Sequence, residues 1–569
     1  MESALPHGSA PAELPSGSRR EVAPFARQTV ELTKQPSIEL KWAASYWKAQ
    51  YDRATGREAA LKQEIAAQAA QIRDLTQRLY GKKSEKGAGQ EPGRAPSPRR
   101  RGQPQASKGH GRTARPQLPV SEEVHDLPAE DQHCPVCSAP YLAFPGTEDS
   151  ELVEVSVQAH IRRIKRKRYG KGCQCPGVPG LITAPPAPRL LPQTPLGVSV
   201  WTAVLLDKYL YARPTYRLCE EFRHQGFPIA QGTLTDGLKR VVPMFAPVME
   251  ALRDKPMSEA LFHNDETRGE VVEAVPGKHD HRWYLWVTRS ESVVFYQMAS
   301  SRGAVVPQAH FADLQALEVV VVCDRDTAYK CLAKSQDCII LAFCWAHVRR
   351  DFLDAARSWP EWAAWMCEWG DDIRELYHLN AARLAVWNAE QPLPHQPLAF
   401  RERQSGLVNK LTQMQPRWEA ELQDNRLPHV KRKVLTRLKN HWAGLHVFVD
   451  HPAVSMDNNA AERALRNPVI GRKNYYGSGS VWSAQLAAVM FSVLQTVLLW
   501  RLNPHHWLQA FLQACADHGG KPPSDLSGFL PWTMSADRRH QLSQPVAVQF
   551  PNLGREPPAP RKPPVPDTS

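Results

Sequence analysis

A chain of 569 residues is long enough for three or four domains at about 150 residues each. Hydrophobic residues make up 42% and charged residues 23%, which excludes a wholly disordered chain. Lys and Arg outnumber Asp and Glu by 71 to 58, and the net charge of +13 favours a polyanionic partner.

The longest apolar run, Gln485 to Arg501, is interrupted by Ser492, Gln495 and Thr496. It falls short of the roughly 20 apolar residues of a membrane span and reads as a buried helix. Residues 1–20 carry no apolar stretch of the secretory kind, so a cytoplasmic protein without a membrane partner is expected. The eleven cysteines are scattered except for one cluster, which fits a reducing compartment better than a disulfide framework.

Residues 1–36 are rich in Pro, Ser, Ala and Gly and read as disordered. Over residues 37–80, Leu40, Ala44, Trp47, Tyr51, Ala54, Glu58, Leu61, Ile65, Gln68, Ile72, Leu75 and Leu79 recur at alternating spacings of four and three. That seam predicts a coiled coil through which the chain forms a homo-oligomer. A single helix packed on its own protein is the other reading, and a repeat near 3.5 over several heptads favours the first. Residues 81–118 form a basic linker, from Lys82 to Arg115, opposed only by Glu85 and Glu91. It is either a solvated spacer or an arm on DNA phosphates, where counterion release rewards such runs.

Residues 119–185 hold the cysteine cluster, Cys134-Pro-Val-Cys137 and Cys173-Gln-Cys175. Four thiolates can close a tetrahedral zinc site in a module too small for its own core. Four free cysteines is the alternative, and the one-residue gap of the second pair is a tighter bite than usual. The basic run Arg162 to Lys171 reads as an exposed strand edge or a further DNA contact. In residues 195–255, helices over Pro214–Gln225 and Gln231–Val242 flank Gly226. This is the outline of a helix-turn-helix, or of a helix pair that only packs.

From Ala260 the periodicity changes to strands. Leu261–Asp265, His281–Val287 and Val293–Met298 read as three strands, followed by a helical stretch over Ala304–Gln315. Val319–Cys323 and Ile339–Phe343 are wholly apolar and read as buried strands, each followed by a helix: Thr327–Lys334 and Trp345–Ala356. The expected fold class is therefore α/β, with an antiparallel meander and a later parallel part in one sheet. This order is similar to the ribonuclease-H-like fold of polynucleotidyl transferases.

Asp265 sits on the first strand and Asp324 ends the strand after the first crossover. Neighbouring strands would bring them together. A third acid is expected from a later helix, and Glu462 is the candidate. That helix is expected to be capped near Ser455 or Asp457 and to stop before Pro468. The domain thus spans 258–356 and 453–515, with a helical insertion at 357–452 and an extension and Pro-rich tail at 516–569. Trp442 and other tryptophans of the insertion are expected in its core. Glu266 faces away from Asp265. Glu462 is either a ligand or one half of a surface pair with Arg466. Arg463, Arg466, Arg472 and Lys473 either contact phosphate or are solvated, and His347 is either a core residue or a DNA contact.

Asp265-Glu-Thr267, Ser301-Arg302, Asp324 with Tyr329, Cys344-Trp-Ala-His347-Val-Arg-Arg-Asp-Phe352, Asp457-Asn-Asn-Ala-Ala-Glu462-Arg-Ala-Leu-Arg466 and Gly471-Arg-Lys-Asn474 together resemble the insertion-sequence-66 family of bacterial transposases. The likeness spans roughly residues 40–535 and takes in Lys208-Tyr209 and Leu530-Pro531-Trp532. It implies a DNA transposase that binds transposon ends, cleaves them and transfers the freed strand, in the bacterial cytoplasm at the nucleoid. It implies a catalytic triad of Asp265, Asp324 and Glu462 holding two magnesium ions, with manganese able to substitute and Asp265 bridging. It also implies small accessory transposition proteins. A catalytically inactive descendant that only binds DNA is the alternative. The chemistry suits these residues on its own terms. In-line displacement at phosphorus is served by two hard cations with oxygen ligands, and clustered carboxylates without cations should show raised pKa values.

Overall fold

The computed structural model describes residues 33–80, 159–170, 181–278 and 280–546. Residues 1–32 of the expected disordered N-terminus, the whole basic linker, all four cysteines of the proposed zinc site and most of the Pro-rich tail lie outside them, whereas residues 34–36 of that N-terminus already belong to the first helix. Two units are described. In the first, α1 (Lys34–Tyr80) is one continuous helix of 47 residues that runs through Gly56 without a break. Its seam residues from Leu40 to Leu75 are all exposed.

The second unit begins with a two-stranded ribbon. β1 (Arg168–Gly170) pairs antiparallel with β2 (Leu181–Thr183), and the basic residues leading into it are exposed, which fits both readings of that run. Four helices follow: α2 (Val198–Tyr209), α3 (Thr215–His224), α4 (Gln231–Val241) and α5 (Ala246–Asp254). They close on Trp201, Leu205, Leu234, Leu238 and Phe245, all buried.

The sheet comprises β3 (Leu261–Glu270), β4 (Arg282–Arg289) and β5 (Val294–Ala299), then α6 (Val305–His310), β6 (Val319–Cys323), α7 (Thr327–Ser335), β7 (Ile339–Phe343) and α8 (Trp345–Ser358). The spatial order is β5-β4-β3-β6-β7, with β3, β4 and β5 antiparallel and β3, β6 and β7 parallel. The mixed α/β sheet read from the sequence is thus present. β6 and β7 needed no alternation because helices cover both of their faces. The helix expected over Ala304–Gln315 is shorter, ending at His310.

Three helices form the insertion: α9 (Ala363–Leu384), α10 (Leu398–Gln423) and α11 (His429–Asp450). Their core is continuous with one face of the sheet through Val320, Val322, Ala342, Trp345 and Trp442. Trp442 stands edge-on to both Trp345 and Trp418, which places it in the core as expected. Gly444 lets α11 lie against β7, because a Cβ there would sit 2.5 Å from the Phe343 ring. Buried Arg383 donates to the Val449 and Phe448 carbonyls at 2.9 and 2.7 Å, which satisfies the C-terminal end of α11.

The last elements are α12 (Asn459–Tyr475), α13 (Val481–Leu499), α14 (Pro504–Asp517) and α15 (Ala536–Ser543). By length and apolarity α13 is the one described helix able to cross a membrane, but it is a core helix here. Its polar interruptions face the sheet edge: the backbone N–H groups of Tyr296 and Val294 donate to Ser492 Oγ and Thr496 Oγ1 at 2.8 and 3.0 Å.

α12 does not stop before Pro468. It continues for two more turns, with Pro468 buried inside it. A proline leaves the carbonyl four residues back without its donor. That carbonyl, Ala464 O, instead accepts from buried Tyr296 Oη at 2.8 Å. A partner 168 residues away in sequence replaces the missing helical bond.

α6 supplies a test of the fold. His310 is buried, its ring stacks on Phe295 at 5.1 Å, and burial, then Arg253, pushes its pKa down to about 4. The unfolded chain takes up a proton near pH 6.5 that the folded one refuses. The contribution is therefore complete above pH 6.5 and lost as pH falls toward 4. His310→Gln is expected to remove a pH-dependent loss of up to about 3 kcal/mol between those values. Urea midpoints of both proteins at pH 7 and pH 5 measure it, and parallel pH profiles would overturn it.

Candidate active site

The parallel register of β3 and β6 pairs Leu261 with Val320 and His263 with Val322. Two residues further along each strand, Asp265 and Asp324 stand level at the carboxyl end of β6. Side chains alternate along a strand, so both acids share the face of Leu261, Val320 and Val322. In the antiparallel pairing with β4, Asp265 stands opposite Val287, which packs in the core shared with α12 and α13. Glu462, in the first turn of α12, is delivered to that same face.

Asp265 feels the other two acids. The Asp265 carboxyl is pushed up to about 8, first by burial, then by the charges of Glu266, Asp324 and Glu462, against one bond from the Glu266 N–H at 2.8 Å. A divalent cation beside such a carboxyl would favour its charged form. The donors are carboxylate oxygens, which suit magnesium or manganese. The residues present therefore fit a hard divalent ion.

Among the described residues, the group of three potential ligands that lies within 4.8 Å of one another is not the three acids but one that shares Glu462 with them. Cys344 Sγ, a ring nitrogen of His347 and a Glu462 oxygen lie within 4.8 Å of one another, and His347 Nε2 is 3.8 Å from Glu462 Oε1. The sulfur is a poor ligand. Burial pushes the Cys344 thiol pKa up, and Sγ already accepts the Asn458 N–H at 3.2 Å. His347 is also held mainly neutral by burial, and Glu462 and Asp324 both act on it. It therefore stands beside the acids rather than in a remote core.

Two groups missed as functional in the sequence reading hold the acids in place. Asn458 is fully buried. Its Nδ2 donates to Asn264 O at 2.7 Å, and its N–H reaches Cys344. His263 Nδ1 donates to its Oδ1 at 3.3 Å. One residue thus ties the start of α12 to β3 through its side chain and to the end of β7 through its backbone N–H. The helix follows directly, with Glu462 N–H donating to Asn458 O at 3.1 Å. On the opposite face of the sheet, Glu266 accepts from Tyr329 Oη at 2.9 Å and pairs with Arg302 at 2.7 Å. Arg302 also reaches Asp326, which caps α7 through the Ala328 N–H. Asn458, Glu266, Arg302 and Tyr329 all stand in the sequence motifs, but their partners are set only by the fold.

The cationic candidates line α12. Arg463, Arg466 and Lys473 are exposed, while half-buried Arg472 donates to Thr267 Oγ1 at 3.4 Å.

A family model described as "Transposase IS66 family" matches residues 193–486, more than half of the chain. The chain belongs to the IS66 transposase family. Three Sinorhizobium fredii (strain NBRC 101917 / NGR234) proteins, each named as uncharacterized, are similar to it. y4jD is 25% identical over 432 residues, covering 73% of this chain and 80% of the relative. y4hP is 25% identical over 420 residues, with 70% and 73% covered. y4qI is 27% identical over 362 residues, with 59% and 62% covered. The matched region contains Asp265, Asp324 and Glu462, and also Asn458, Arg302 and Tyr329 of this IS66 family member.

Proposed function

We propose that this IS66 family member is a DNA transposase with a ribonuclease-H-like catalytic core, which cleaves transposon ends and transfers the freed strand. Asp265, Asp324 and Glu462 are its catalytic acids and hold two magnesium ions, with manganese as a substitute. The observation that carries the reading is the level placement of Asp265 and Asp324 at the ends of neighbouring parallel strands, with the Glu462 helix on the same face and the charges of both other acids acting on Asp265. The strand order, with an antiparallel meander on one side and parallel strands on the other, supports the fold assignment.

When bound, the ions stabilise charge on the attacking and leaving oxygens of the phosphodiester. The chain's own residues do the rest. Asp265 and Asp324 are held by a continuous sheet, and Glu462 by a helix pinned through Asn458. Rigid mounts keep the donors in place without reorganisation during the reaction. Arg463, Arg466, Arg472 and Lys473 neutralise phosphates beside the acids, while α3 and α4 contribute to end recognition. The exposed seam of α1 supports a coiled-coil homo-oligomer that brings two ends together. The proposal also keeps a structural zinc at Cys134, Cys137, Cys173 and Cys175, resting on their spacing, and accessory proteins acting at the nucleoid in the cytoplasm.

The test is an incubation of the full chain with a duplex carrying the terminal sequence of the element that encodes it. Nicking at the end is expected with magnesium or manganese and absent with EDTA. End binding without cleavage in any divalent metal would sink the enzymatic reading in favour of an inactive DNA-binding protein. Cleavage indifferent to the end sequence would point to a general nuclease.

A further inference from the structure

α12 presents one stripe to solvent: Arg463, Arg466, Ile470, Lys473 and Asn474. Glu462 is the one acid in the whole helix. At its end stand two tyrosines with opposite fates. Tyr475 turns inward, half-buried, under Lys208 Nζ at 5.1 Å. Tyr476 turns outward and is 84% exposed.

Tyr476 also has φ 65°, in the left-handed region. That position after a helix is normally taken by Gly or Asn, because a Cβ is disfavoured there. The conformation is firmly held. The Tyr476 N–H donates to Arg472 O at 2.8 Å. The Ser478 N–H donates to Glu270 O at 2.9 Å, and the Val272 N–H to Ser478 O at 3.0 Å, which bolts the turn onto the end of β3. Gly477 makes the close approach possible, since a Cβ there would lie 2.5 Å from Glu270 O. A bulky aromatic side chain in a disfavoured backbone well, with its ring in water, gains nothing from burial in the free protein. Such an outlier points to a ligand.

We infer that Tyr476 is a stacking platform for an unstacked base of the DNA strand that runs along α12. This rests on the reading of the chain as a DNA-processing enzyme and adds a contact to it. Arg472 and Lys473 on the preceding turn supply charge for the phosphates, and the ring supplies a face for a base. Together they form the pairing of cation and aromatic that single strands favour. Tyr476 lies 14 residues beyond Glu462, about 21 Å along the helix. At about 3.4 Å per nucleotide, that is roughly six nucleotides from the phosphate at the acids.

The test uses the full chain and end-containing duplexes with single 5-iodouracil substitutions about four to eight nucleotides to either side of the cut. Photocrosslinking is expected to attach one of these bases to the peptide containing Tyr476. The crosslink is lost in Tyr476→Ala and kept in Tyr476→Trp. Tyr476→Ala is expected to bind the duplex about tenfold more weakly, and Tyr476→Phe like the wild type. An exposed ring contributes little to folding, so the thermal midpoint of Tyr476→Ala should match the wild type. If it does not, the comparison of Tyr476→Phe with Tyr476→Trp and the wild-type crosslink map still decide. A wild type that binds duplex, with no crosslink to this peptide and with Tyr476→Ala affinity within twofold, overturns the platform alone. A wild type that binds no end duplex overturns both this inference and the reading beneath it.

Discussion

Asp265→Asn is expected to lower metal-dependent nicking by at least about a thousandfold, corresponding to roughly 4 kcal/mol of transition-state stabilisation. Binding of the end duplex in EDTA at neutral pH is expected to stay within about threefold, because Asp265 makes no phosphate contact and keeps its proton below about pH 8 without metal. The same substitution has a second readout. The folded chain holds the Asp265 proton up to about pH 8, whereas the unfolded chain releases it near pH 4. The contribution of this carboxyl to stability is therefore complete below pH 4 and lost as pH rises toward 8 without metal. Asn has no proton to lose, so Asp265→Asn is expected to be more stable than the wild type at pH 8 in EDTA. Magnesium should raise the melting temperature of the wild type and have little effect on the variant, because an ion that binds only the folded state stabilises it. Wild-type nicking rates in the variant would sink the proposed role of Asp265. A magnesium response equal in both proteins would do the same for the ion site.

Asn458→Ala is expected to damage stability and activity together. The substitution strands Asn264 O and His263 Nδ1 in a buried place, where each polar group left without a partner costs about 1–3 kcal/mol. A total loss of roughly 2–4 kcal/mol follows, read as a lower urea midpoint. The effect on chemistry comes through geometry. Asn458 holds the first turn of α12, and Glu462 begins its helical bonding at Asn458 O. A shift of about 1 Å at Glu462 is enough for roughly a hundredfold loss in nicking. Because all three acids remain, higher magnesium should recover part of this loss, whereas Asp265→Asn should not respond. A variant with unchanged urea midpoint and unchanged nicking would show that the pin is dispensable.

Some features were legible because the rule that decides them is local. The apolar blocks Val319–Cys323 and Ile339–Phe343 could be read as buried strands, since a strand covered on both faces has no polar side to show. The alternation around Asp265 already separated it from Glu266, because strand side chains point to opposite faces at every step. Charge and composition, which are sums, needed no fold at all.

What failed, or stayed silent, depended on partners distant in sequence. Pro468 predicts a helix stop because the residue before a proline is biased away from the helical region, yet the helix continues, with Tyr296 Oη from β5 donating to the Ala464 carbonyl that the proline leaves without a partner. Glu266, Arg302 and Tyr329 stood as separate motif letters until the sheet and α7 joined them, with Asp326, in one network. Asn458 looked like part of a capping segment, and its work as a pin appears only when β3 and the end of β7 come to meet it. By itself, then, the chain determined which segments are strands and helices and which acids are candidates, because hydrophobic period and residue chemistry act over a few residues. Tertiary structure alone decided which carbonyl finds which donor and which charge raises which carboxyl, because those terms depend on distance in space.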